Sequence, residues 1–382
     1  MKVLSLFDGM SCGMLAMQSA GVSVDRYVAF EIDKYAVQTS SHNFPMIEHR
    51  GDVFKADFTE FRGFDFLVGG SPCTYWSIAQ KNNRETEASG MGWELFSQYV
   101  RALREAQPMY FIYENNKSMS NAIRDSITAT FGFEPICINS ALVSAQNRQR
   151  LYWVGRRNLD GTYSRAKVEQ PVDIGVFLRD VLDSGVDLTF RDKAWTLTAS
   201  YDGACAWNTI ERSQRSMVAE PIRVGALPRP NGQLSTSQGF RIYSQDGKAV
   251  NLKACAGGAG GKTGLYAIPV EFDGCAPTRA QSSADGKVYT VYEVKDGLIT
   301  IKGKQYPIKL DDGYYIIRKL TVSECKRLQT VPEWYEFPVS DSQAYKMLGN
   351  GWTVEVIAHL IRATQANELE DEQLDLFKTE AM

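Results

Sequence analysis

Short apolar runs alternate with helical patterns over the first 160 residues of the chain. Six of these runs have the length and the β-branched or aromatic content of strands. They are Val3–Phe7, Tyr27–Glu31, Phe64–Val68, Met109–Tyr113, Ile136–Ala141 and Leu151–Val154. Between the third and fourth runs, Phe96, Tyr99, Val100 and Leu103 recur at helical spacing. Strand–helix alternation of this kind predicts an α/β fold with a doubly wound, mostly parallel sheet.

The pattern changes near residue 160 and changes back near residue 318. The intervening stretch is rich in Gly, Ser and Thr, with short β-like pieces and no long helical stripe. Thr321-Val322-Ser323-Glu324 then predicts a capping box that opens a helix, and an apolar stripe beginning at Val354 predicts a second helix. We therefore divide the chain into an α/β segment (1–159), a β-rich segment (160–317), a return to the first segment (318–366) and an acidic tail (367–382).

Length and composition are those of a soluble globular protein. The 382 residues contain no apolar run of the roughly 18 residues that a membrane span needs, and the apolar stretch at the N-terminus is too short for a signal peptide. The seven cysteines include no C-x-x-C pair, and only three histidines are present. This pattern disfavours a zinc site and a disulfide framework, so we expect no metal and a cytoplasmic location with reduced thiols.

Charge is unevenly distributed along the chain. The formal net charge is −3, but residues 364–382 carry six acidic residues and one lysine, which leaves the remainder at +2. Residues 146–167 hold six basic residues against one aspartate. Such a cluster is typical either of a solvated surface or of a phosphate-binding edge. The overall charge therefore does not exclude a nucleic-acid partner.

Polar and reactive side chains follow several of the predicted strands. Phe7, Glu31, Cys73 and Glu114 lie at or just past strand ends, where doubly wound sheets bind ligands. Cys73 follows two glycines and a proline, which favours an ordered turn. A thiol in such a turn is either a nucleophile or a buried, inert cysteine.

Two carboxylates indicate a nucleoside ligand. Glu31 is suited to ribose hydroxyls and Asp52 to an adenine amino group, whereas residues 7–13 lack the full glycine fingerprint of a dinucleotide site. An adenosine without a pyrophosphate, as in S-adenosyl-L-methionine, fits this set. Residues 256–263 match a loose phosphate-loop pattern, but Pro269 forbids the helix that this loop requires, so nucleotide hydrolysis is not predicted.

Eight short motifs, in one order along the chain, resemble those of the C5-cytosine DNA methyltransferase family. They are Phe-Asp-Gly-x-x-x-Gly at 7–13, Phe-Glu-Ile-Asp at 30–33, Gly-Asp-Val at 51–53, Gly-Ser-Pro-Cys at 70–73, Tyr-Glu-Asn at 113–115, Gln-Asn-Arg-Gln-Arg at 146–150, Arg-Lys-Leu-Thr-Val-Ser-Glu-Cys-Lys-Arg-Leu-Gln at 318–329 and Leu-Gly-Asn-Gly at 348–351. Together they span nearly the whole chain outside 160–317.

The resemblance implies a fold and a catalytic set. The fold is a Rossmann-like, S-adenosylmethionine-dependent methyltransferase domain with a smaller β-rich target-recognition domain at 160–317. The thiolate of Cys73 would add to C6 of a flipped-out cytosine, so that C5 can accept a methyl group. Glu114 would hold N3 of the base, while Arg148 and Arg150 would grip the base oxygen and support the carboxylate.

The resemblance also implies the binding residues. For S-adenosyl-L-methionine they are Phe7, Asp8, Gly9, Glu31, Ile32, Asp52, Val53, Asn350, Gly351 and Trp352. For double-stranded DNA they are Ser77, Arg191, Thr196, Thr198, Ser200, Arg241 and Lys253. We expect a monomer encoded by a bacterium or a phage, among the enzymes that include those of restriction–modification systems.

The chain departs from the family pattern at two positions. Thr74 stands where the family usually has Gln, and Asn116 stands where it usually has Val. An amide in the base pocket could alter which base or which transferred group is accepted, but activity is expected because Cys73, Glu114 and the arginines are present. Two alternatives stay open: an RNA cytosine methyltransferase, which the long β-rich insert disfavours, and an inert DNA-binding relative, which the Cys and Glu pair disfavours.

Overall fold

The structure is a computed structural model. It describes residues 1–77, 84–181, 183, 223–226, 241–244, 265–269, 280–282, 288–301, 303–307, 311–318 and 321–366. Within these residues, no helix is both long and apolar enough to cross a bilayer. Among the described residues, no group of three or more His, Cys, Asp or Glu side chains could hold a metal ion.

Eight strands form the first sheet. They are β1 (Lys2–Leu6), β2 (Arg26–Phe30), β3 (Glu48–His49), β4 (Phe66–Gly69), β5 (Tyr110–Asn116), β6 (Ile136–Asn139), β7 (Gln149–Arg157) and β8 (Tyr163–Arg165). Their order is β3-β2-β1-β4-β5-β7-β6, and β8 pairs with β7. All six predicted strands are present, with ends that differ by a few residues. The first sheet also continues to Arg165, past the predicted domain end at 159.

In the part of the chain that the structure describes, seven α-helices accompany this sheet. They are α1 (Cys12–Ser19), α2 (Lys34–Asn43), α3 (Gly90–Ala106), α4 (Asn121–Phe131), α5 (Val322–Leu328), α6 (Asp341–Asn350) and α7 (354–366). The capping box predicted for α5 is confirmed, because Thr321 and Glu324 each accept a hydrogen bond from the other residue's backbone amide.

The two faces of the first sheet pack into separate cores. Val3 belongs to the core that contains α1 and α7, whereas its neighbour Leu4 belongs to the core that contains α3 and α4. Successive strand residues point to opposite faces, so a continuous apolar strand such as β1 fills both cores at once. Helices therefore cover both faces, and the predicted doubly wound α/β fold is confirmed.

Eight further strands form a second sheet within residues 223–318. They are β9 (Arg223–Ala226), β10 (Arg241–Ser244), β11 (Leu265–Pro269), β12 (Ala280–Ser282), β13 (Val288–Lys295), β14 (Leu298–Ile301), β15 (Lys304–Pro307) and β16 (Gly313–Arg318). Most of their pairings are antiparallel. The second sheet bears out the β-rich expectation for this stretch. Pro269 ends strand β11, so the residues that directly follow the glycine-rich segment form a strand.

The direction of β7 determines what lies at the functional edge of the first sheet. Strands β1, β2, β4 and β5 are parallel, so their carboxyl ends share one edge. Strand β7 is antiparallel to β5, and Arg150 pairs with Asn116 in register. The start of β7 therefore lies beside the end of β5, at the edge where the predicted catalytic residues are found.

Candidate active site

A cavity of about 240 Å³ opens at the carboxyl edge of the first sheet. Its wall is built from the residues that follow β1, β2 and β4, from the end of β5, from the start of β7 and from the segment joining α6 to α7. The lining residues are Phe7, Asp8, Gly9, Met10, Cys12, Glu31, Asp33, Ala36, Gly70, Ser71, Pro72, Thr74, Glu114, Arg148, Arg150, Lys346, Met347, Asn350, Gly351 and Trp352. Segments from both ends of the chain thus share one pocket.

The turn after β1 is held by the carboxylate of Asp8. This group accepts hydrogen bonds from the hydroxyls of Ser5 (2.6 Å), Tyr27 (2.7 Å) and Ser11. Burial raises the pKa of Asp8, and the three hydroxyl donors partly offset that rise. Phe7 and Gly9 have positive φ angles of 57° and 59°. Asp8 therefore fixes a tight turn whose backbone faces the cavity.

Glu31 is bound by three backbone amides. Its Oε2 accepts from Gly9 (2.8 Å), and its Oε1 accepts from Ile32 (2.8 Å) and Asp33 (2.7 Å). Burial raises the pKa of Glu31 in spite of these donors. A carboxylate offers about four acceptor positions, so Glu31 keeps capacity for hydroxyl donors such as those of a ribose. No atom lies within 4 Å of the position that a Cβ of Gly9 would occupy, so the backbone beside Glu31 is open to a ligand.

An ion pair at the cavity wall joins α2 to α6. Nζ of Lys346 lies 2.6 Å from Oδ2 of Asp33, and the other oxygen of Asp33 caps α2 by accepting from the amides of Tyr35 and Ala36. Burial opposes ionisation of Asp33, but the hydrogen bond and charge of Lys346, together with the amides of Tyr35 and Ala36, outweigh it, and the pKa of Asp33 is lowered. The motif that contains Glu31 thus also supplies a structural carboxylate.

Cys73 begins the 3-10 helix Cys73–Tyr75, directly after β4. Three buried polar groups hold the preceding residues: the hydroxyls of Ser71 and Tyr113 lie 2.7 Å apart, and Nδ2 of Asn115 donates to the Ser71 carbonyl at 3.2 Å. A Cβ on Gly70 would lie 2.7 Å from the carbonyl oxygen of Glu114. Strand ends β4 and β5 therefore approach each other as closely as glycine allows.

Glu114 has a donor for each carboxylate oxygen. Nε of Arg150 lies 3.0 Å from Oε1, and the indole nitrogen of Trp352 donates to Oε2 at 3.0 Å. Both charged side chains are about 10% exposed, at 11% for Glu114 and 10% for Arg150. Low exposure strengthens charge-assisted hydrogen bonds and limits screening. The site therefore contains an oriented carboxylate that can hold a polar group of a ligand.

Arg148 has a different set of contacts from Arg150. Its Nη1 donates to the carbonyl of Gly349 at 3.3 Å and its Nη2 to that of Gly351 at 2.8 Å. These bonds tie the start of β7 to the segment between α6 and α7. Of the two predicted arginines, Arg150 supports the carboxylate, and Arg148 lines the cavity while fixing its C-terminal wall.

The cavity brings together most of the predicted cofactor residues. Phe7, Asp8, Gly9, Glu31, Asn350, Gly351 and Trp352 all line it. Ile32, Asp52 and Val53 are not among its lining residues. Asp52 caps a 3-10 turn by accepting from the Phe54 amide, Val53 is buried, and Ile32 is 78% exposed beside Glu31. Roles for these three residues in cofactor binding stay predictions.

Few of the predicted DNA-binding residues are described. Ser77 is half-buried, four residues after Cys73, and Arg241 is half-buried at the start of β10. Arg191, Thr196, Thr198, Ser200 and Lys253 lie outside the described residues. The basic cluster at 146–167 is split, because Arg156 pairs with the first residue of β5 and about 20 Å of strand separates it from Arg150.

The side chain of Asn116, the last residue of β5, is hydrogen-bonded to near neighbours in sequence. Its amide oxygen accepts from the Ser118 hydroxyl at 2.8 Å, and its Nδ2 donates to Asn115 at 3.2 Å. It is buried and does not line the cavity, whereas Thr74 does. The expectation that the amide of Asn116 faces the base therefore receives no support from its contacts.

Sequence reasoning missed several residues that shape the site. Lys346, Ser71, Tyr113 and Asn115 carry the contacts given above, and Asp33 lies inside a motif in which only Glu31 and Ile32 were assigned roles. A signal existed for Asn115 and Ser71, which stand inside the quoted motifs beside Glu114 and Cys73. Nothing in the local sequence indicates the partner of Lys346.

Comparisons with known proteins give the family. The profile of the C-5 cytosine-specific DNA methylase family matches residues 1–366. An orphan methyltransferase of Bacillus phage SPR, M.SPRI, is 27% identical over 95% of this chain and 97% of its own length. The type II methyltransferase M.HhaI of Haemophilus parahaemolyticus is 24% identical over 94% of this chain and 93% of its own length. A match to M.Rho11sI of Bacillus phage rho11s, at 28% identity over 70% of this chain, spans 60% of that protein.

Solved structures show the same fold at low identity. The methyltransferase EhMeth of Entamoeba histolytica gives a TM-score of 0.57 at 14% identity, covering 96% of this chain and 98% of that one. Dnmt2 of S. pombe gives a TM-score of 0.54 at 15% identity, with coverage of 96% and 98%. Since the family profile covers nearly the whole sequence, the chain belongs to the C-5 cytosine-specific DNA methylase family and is, by that membership, a DNA cytosine-5 methyltransferase.

Proposed function

We propose that this protein methylates C5 of a cytosine within a specific site of double-stranded DNA, using S-adenosyl-L-methionine. The observation that carries the proposal is the oriented carboxylate of Glu114, which shares one cavity with Glu31 and with the residues on both sides of Cys73. In this proposal Glu31 would accept from the ribose hydroxyls and Glu114 would bind the base, and both line the same cavity. No step needs a metal ion.

The chemistry follows from the weak nucleophilicity of C5 in cytosine. The thiolate of Cys73 adds to C6, and the electron pair of the C5–C6 double bond becomes available at C5 as an enamine. Glu114 accepts a hydrogen bond from the exocyclic amine and, as a general acid, shares its proton with N3, which neutralises the negative charge that thiolate addition places on the ring. After C5 acquires the methyl group, loss of the C5 proton and departure of the thiolate restore the aromatic ring.

Arg150 and the loop before Cys73 supply the positioning. Arg150 lies against one oxygen of Glu114, so the carboxylate presents a fixed edge to the base. The Ser71–Tyr113–Asn115 hydrogen bonds hold the chain that leads into Cys73. Fixed groups require no reorganisation when the base arrives, and this is the source of most catalytic stabilisation in polar sites.

The residues around the cavity fit the cofactor. S-adenosyl-L-methionine supplies an activated methyl group when it is bound. Glu31 would accept from its ribose hydroxyls, and the wall formed by Gly9, Asn350 and Gly351 would hold its methionine end. Asp52 and Val53 would contact the adenine, and Ile32 would cover it, as the family resemblance implies.

The target base has to leave the duplex. C6 of a stacked, paired cytosine is out of reach of an active-site thiol, and extrusion costs a few kcal/mol. Residues 160–317 would supply the groups that read the target sequence in the major groove. We also propose that a monomer suffices, and that the enzyme acts in a bacterial cytoplasm.

Covalent trapping tests the proposal. A duplex DNA pool that carries 5-fluorocytosine, incubated with labelled S-adenosyl-L-methionine, should give a protein–DNA band, because fluorine cannot leave C5 as a proton does. Cys73→Ala should abolish the band, and Glu114→Gln should slow its formation by about 10²-fold or more. Cys137→Ala, at a half-buried cysteine outside the cavity, should leave the band unchanged.

Three results would contradict the proposal. A band that persists in Cys73→Ala would exclude this nucleophile. A band formed with 5-fluorocytosine RNA and not with duplex DNA would favour the RNA enzyme. Normal DNA binding with no band from any DNA pool would indicate an inert DNA-binding protein.

A further inference from the structure

We propose that Trp352 is a positioning residue that fixes the carboxylate of Glu114 through its indole N–H. The proposal rests on the function proposed above and adds a residue that the mechanism has not used. Trp352 comes from the segment between α6 and α7, 238 residues after Glu114, and its Nε1 lies 3.0 Å from Oε2. The family resemblance implies a cofactor contact for Trp352, and the alternative from the sequence is a plain core residue.

Arg150 alone cannot fix the plane of the Glu114 carboxylate, and the indole supplies the second donor. Arg150 binds Oε1 and Trp352 binds Oε2, so one donor approaches each oxygen from a different part of the chain. The terminal torsion of a glutamate is broad and turns easily. One donor leaves the carboxylate free to rotate about that contact, whereas two donors fix its plane. The remaining lone pairs then point in a defined direction for the base.

The backbone on both sides of Trp352 is fixed by buried polar side chains. The Gly351 carbonyl accepts from Nη2 of Arg148 at 2.8 Å. The Thr353 hydroxyl donates to Oε1 of Gln329 at 2.8 Å and lies 2.8 Å from the hydroxyl of Ser140. All three partner residues are nearly completely buried. A side chain placed with this support is suited to orient another group.

The ring of Trp352 also lies near the first turn of α1, on the cofactor side of the cavity. A Cβ on Gly13 would lie 3.7 Å from the indole ring and 2.5 Å from the Tyr27 hydroxyl that binds Asp8. The indole therefore spans the distance between α1 and Glu114. One cavity-lining side chain therefore lies between the α1 side of the cavity and Glu114.

Burial of a tryptophan N–H requires a partner of some kind. Here that partner is the acidic group of the proposed mechanism, itself nearly buried and already bound to Arg150. A benzothienyl ring would fill the same space without the hydrogen bond. The indole nitrogen is thus the part of the residue that carries the proposed role, and it can be removed with the ring kept in place.

Two replacements at position 352 test the role. Trp352→Phe removes the N–H, and 3-benzothienylalanine at this position replaces the N–H by sulfur in a ring of the same size. With enzyme in excess over duplex DNA, both should lower the single-turnover methyl-transfer rate about tenfold or more, because a hydrogen bond to a charged group is lost. Affinity for S-adenosylhomocysteine should change far less than the rate. Trp334→Phe, at a tryptophan that is 53% exposed, should match the wild type.

A double-mutant cycle separates positioning from packing. In a Glu114→Ala background the benzothienyl replacement should cause no further loss, because the acceptor is already absent. A further loss equal to that in the wild type, or wild-type rates for both replacements, would overturn the role of Trp352 and leave the proposed function intact. A wild-type protein that neither methylates nor traps any DNA would contradict the proposed function itself, and with it this role.

Discussion

At the scale of single residues, the thiols differ in the role that their surroundings permit. Cys12 lines the cavity but is buried beneath Gly351, where an added Cβ would lie 3.1 Å from its sulfur. Burial raises the pKa of Cys12 to about 12. Thiolates are the reactive form of cysteine. Cys12 therefore cannot substitute for Cys73 as a nucleophile.

Alkylation measures this difference. Folded Cys73→Ala protein treated with iodoacetamide at pH 8 should keep Cys12 unmodified, because the neutral buried thiol neither ionises nor meets the reagent. The same protein in urea should be modified at Cys12, as peptide mass spectrometry would show. Labelling of Cys12 in the folded protein at the rate seen in urea would contradict the assigned burial.

Residue identity was easier to predict than residue contacts. Glu31, Glu114 and Arg150 were predicted from motifs, and all three line the cavity. The partners of Glu114 were only half predicted, because Trp352 reaches it from 238 positions away and its motif suggested a cofactor contact alone. The contacts of Arg148 were not predicted either, because its acceptors are backbone carbonyls of a segment distant in sequence.

At the scale of elements, the sequence predicted the presence of the strands but not their directions. The apolar run at 151–154 marks β7, but a run of apolar residues has no direction in its pattern. The register of the structure, which runs from Tyr110 opposite Arg156 to Asn116 opposite Arg150, shows that β7 is antiparallel to β5. Helix α2 was missed for a related reason: it buries just Ala36, Thr39 and Ser40, so its sequence has no apolar stripe.

Helix α2 depends on its ion pair with α6, and pH should reveal this. Asparagine caps a helix as well as aspartate does, so Asp33→Asn removes the contact with Lys346 and retains the cap. The pair is partly exposed, at 29% for Asp33 and 42% for Lys346. We therefore expect the free energy of unfolding to fall by less than about 1 kcal/mol at pH 7.

The pH dependence has a definite sign. The folded-state pKa of Asp33 is lowered, so its stabilising effect is present above the ordinary value of 3.8 and is lost as pH falls through the folded pKa. Urea unfolding of both proteins should give a constant difference from pH 7 to pH 5 and a shrinking one below 3.8. A difference that stays constant down to pH 3 would mean that the substitution acts through something other than the ion pair.

At the scale of the whole molecule, the site is assembled from the two ends of the family domain. The turn after β1 and the segment between α6 and α7 meet at one cavity, and Arg148 and Gln329 fix that meeting from within. The β-rich segment is inserted between these parts in sequence. Under the proposed function, catalytic geometry and target reading are therefore separate along the chain.

The acidic tail lies beyond the family match, which ends at residue 366. Residues 367–382 contain six acidic residues and one lysine, so their removal changes the net charge from −3 to +2. A truncation after Ala366 should bind duplex DNA several-fold more tightly at low salt, because electrostatic repulsion of phosphate is reduced. The single-turnover rate should not change.

A full-length control with the six acidic residues replaced by their amides should match the truncation. Since exposed charges are screened beyond about 8 Å at 0.15 M salt, the gain should shrink as salt rises. Equal affinities at low salt, or a gain independent of salt, would show that the tail does not act through its charge.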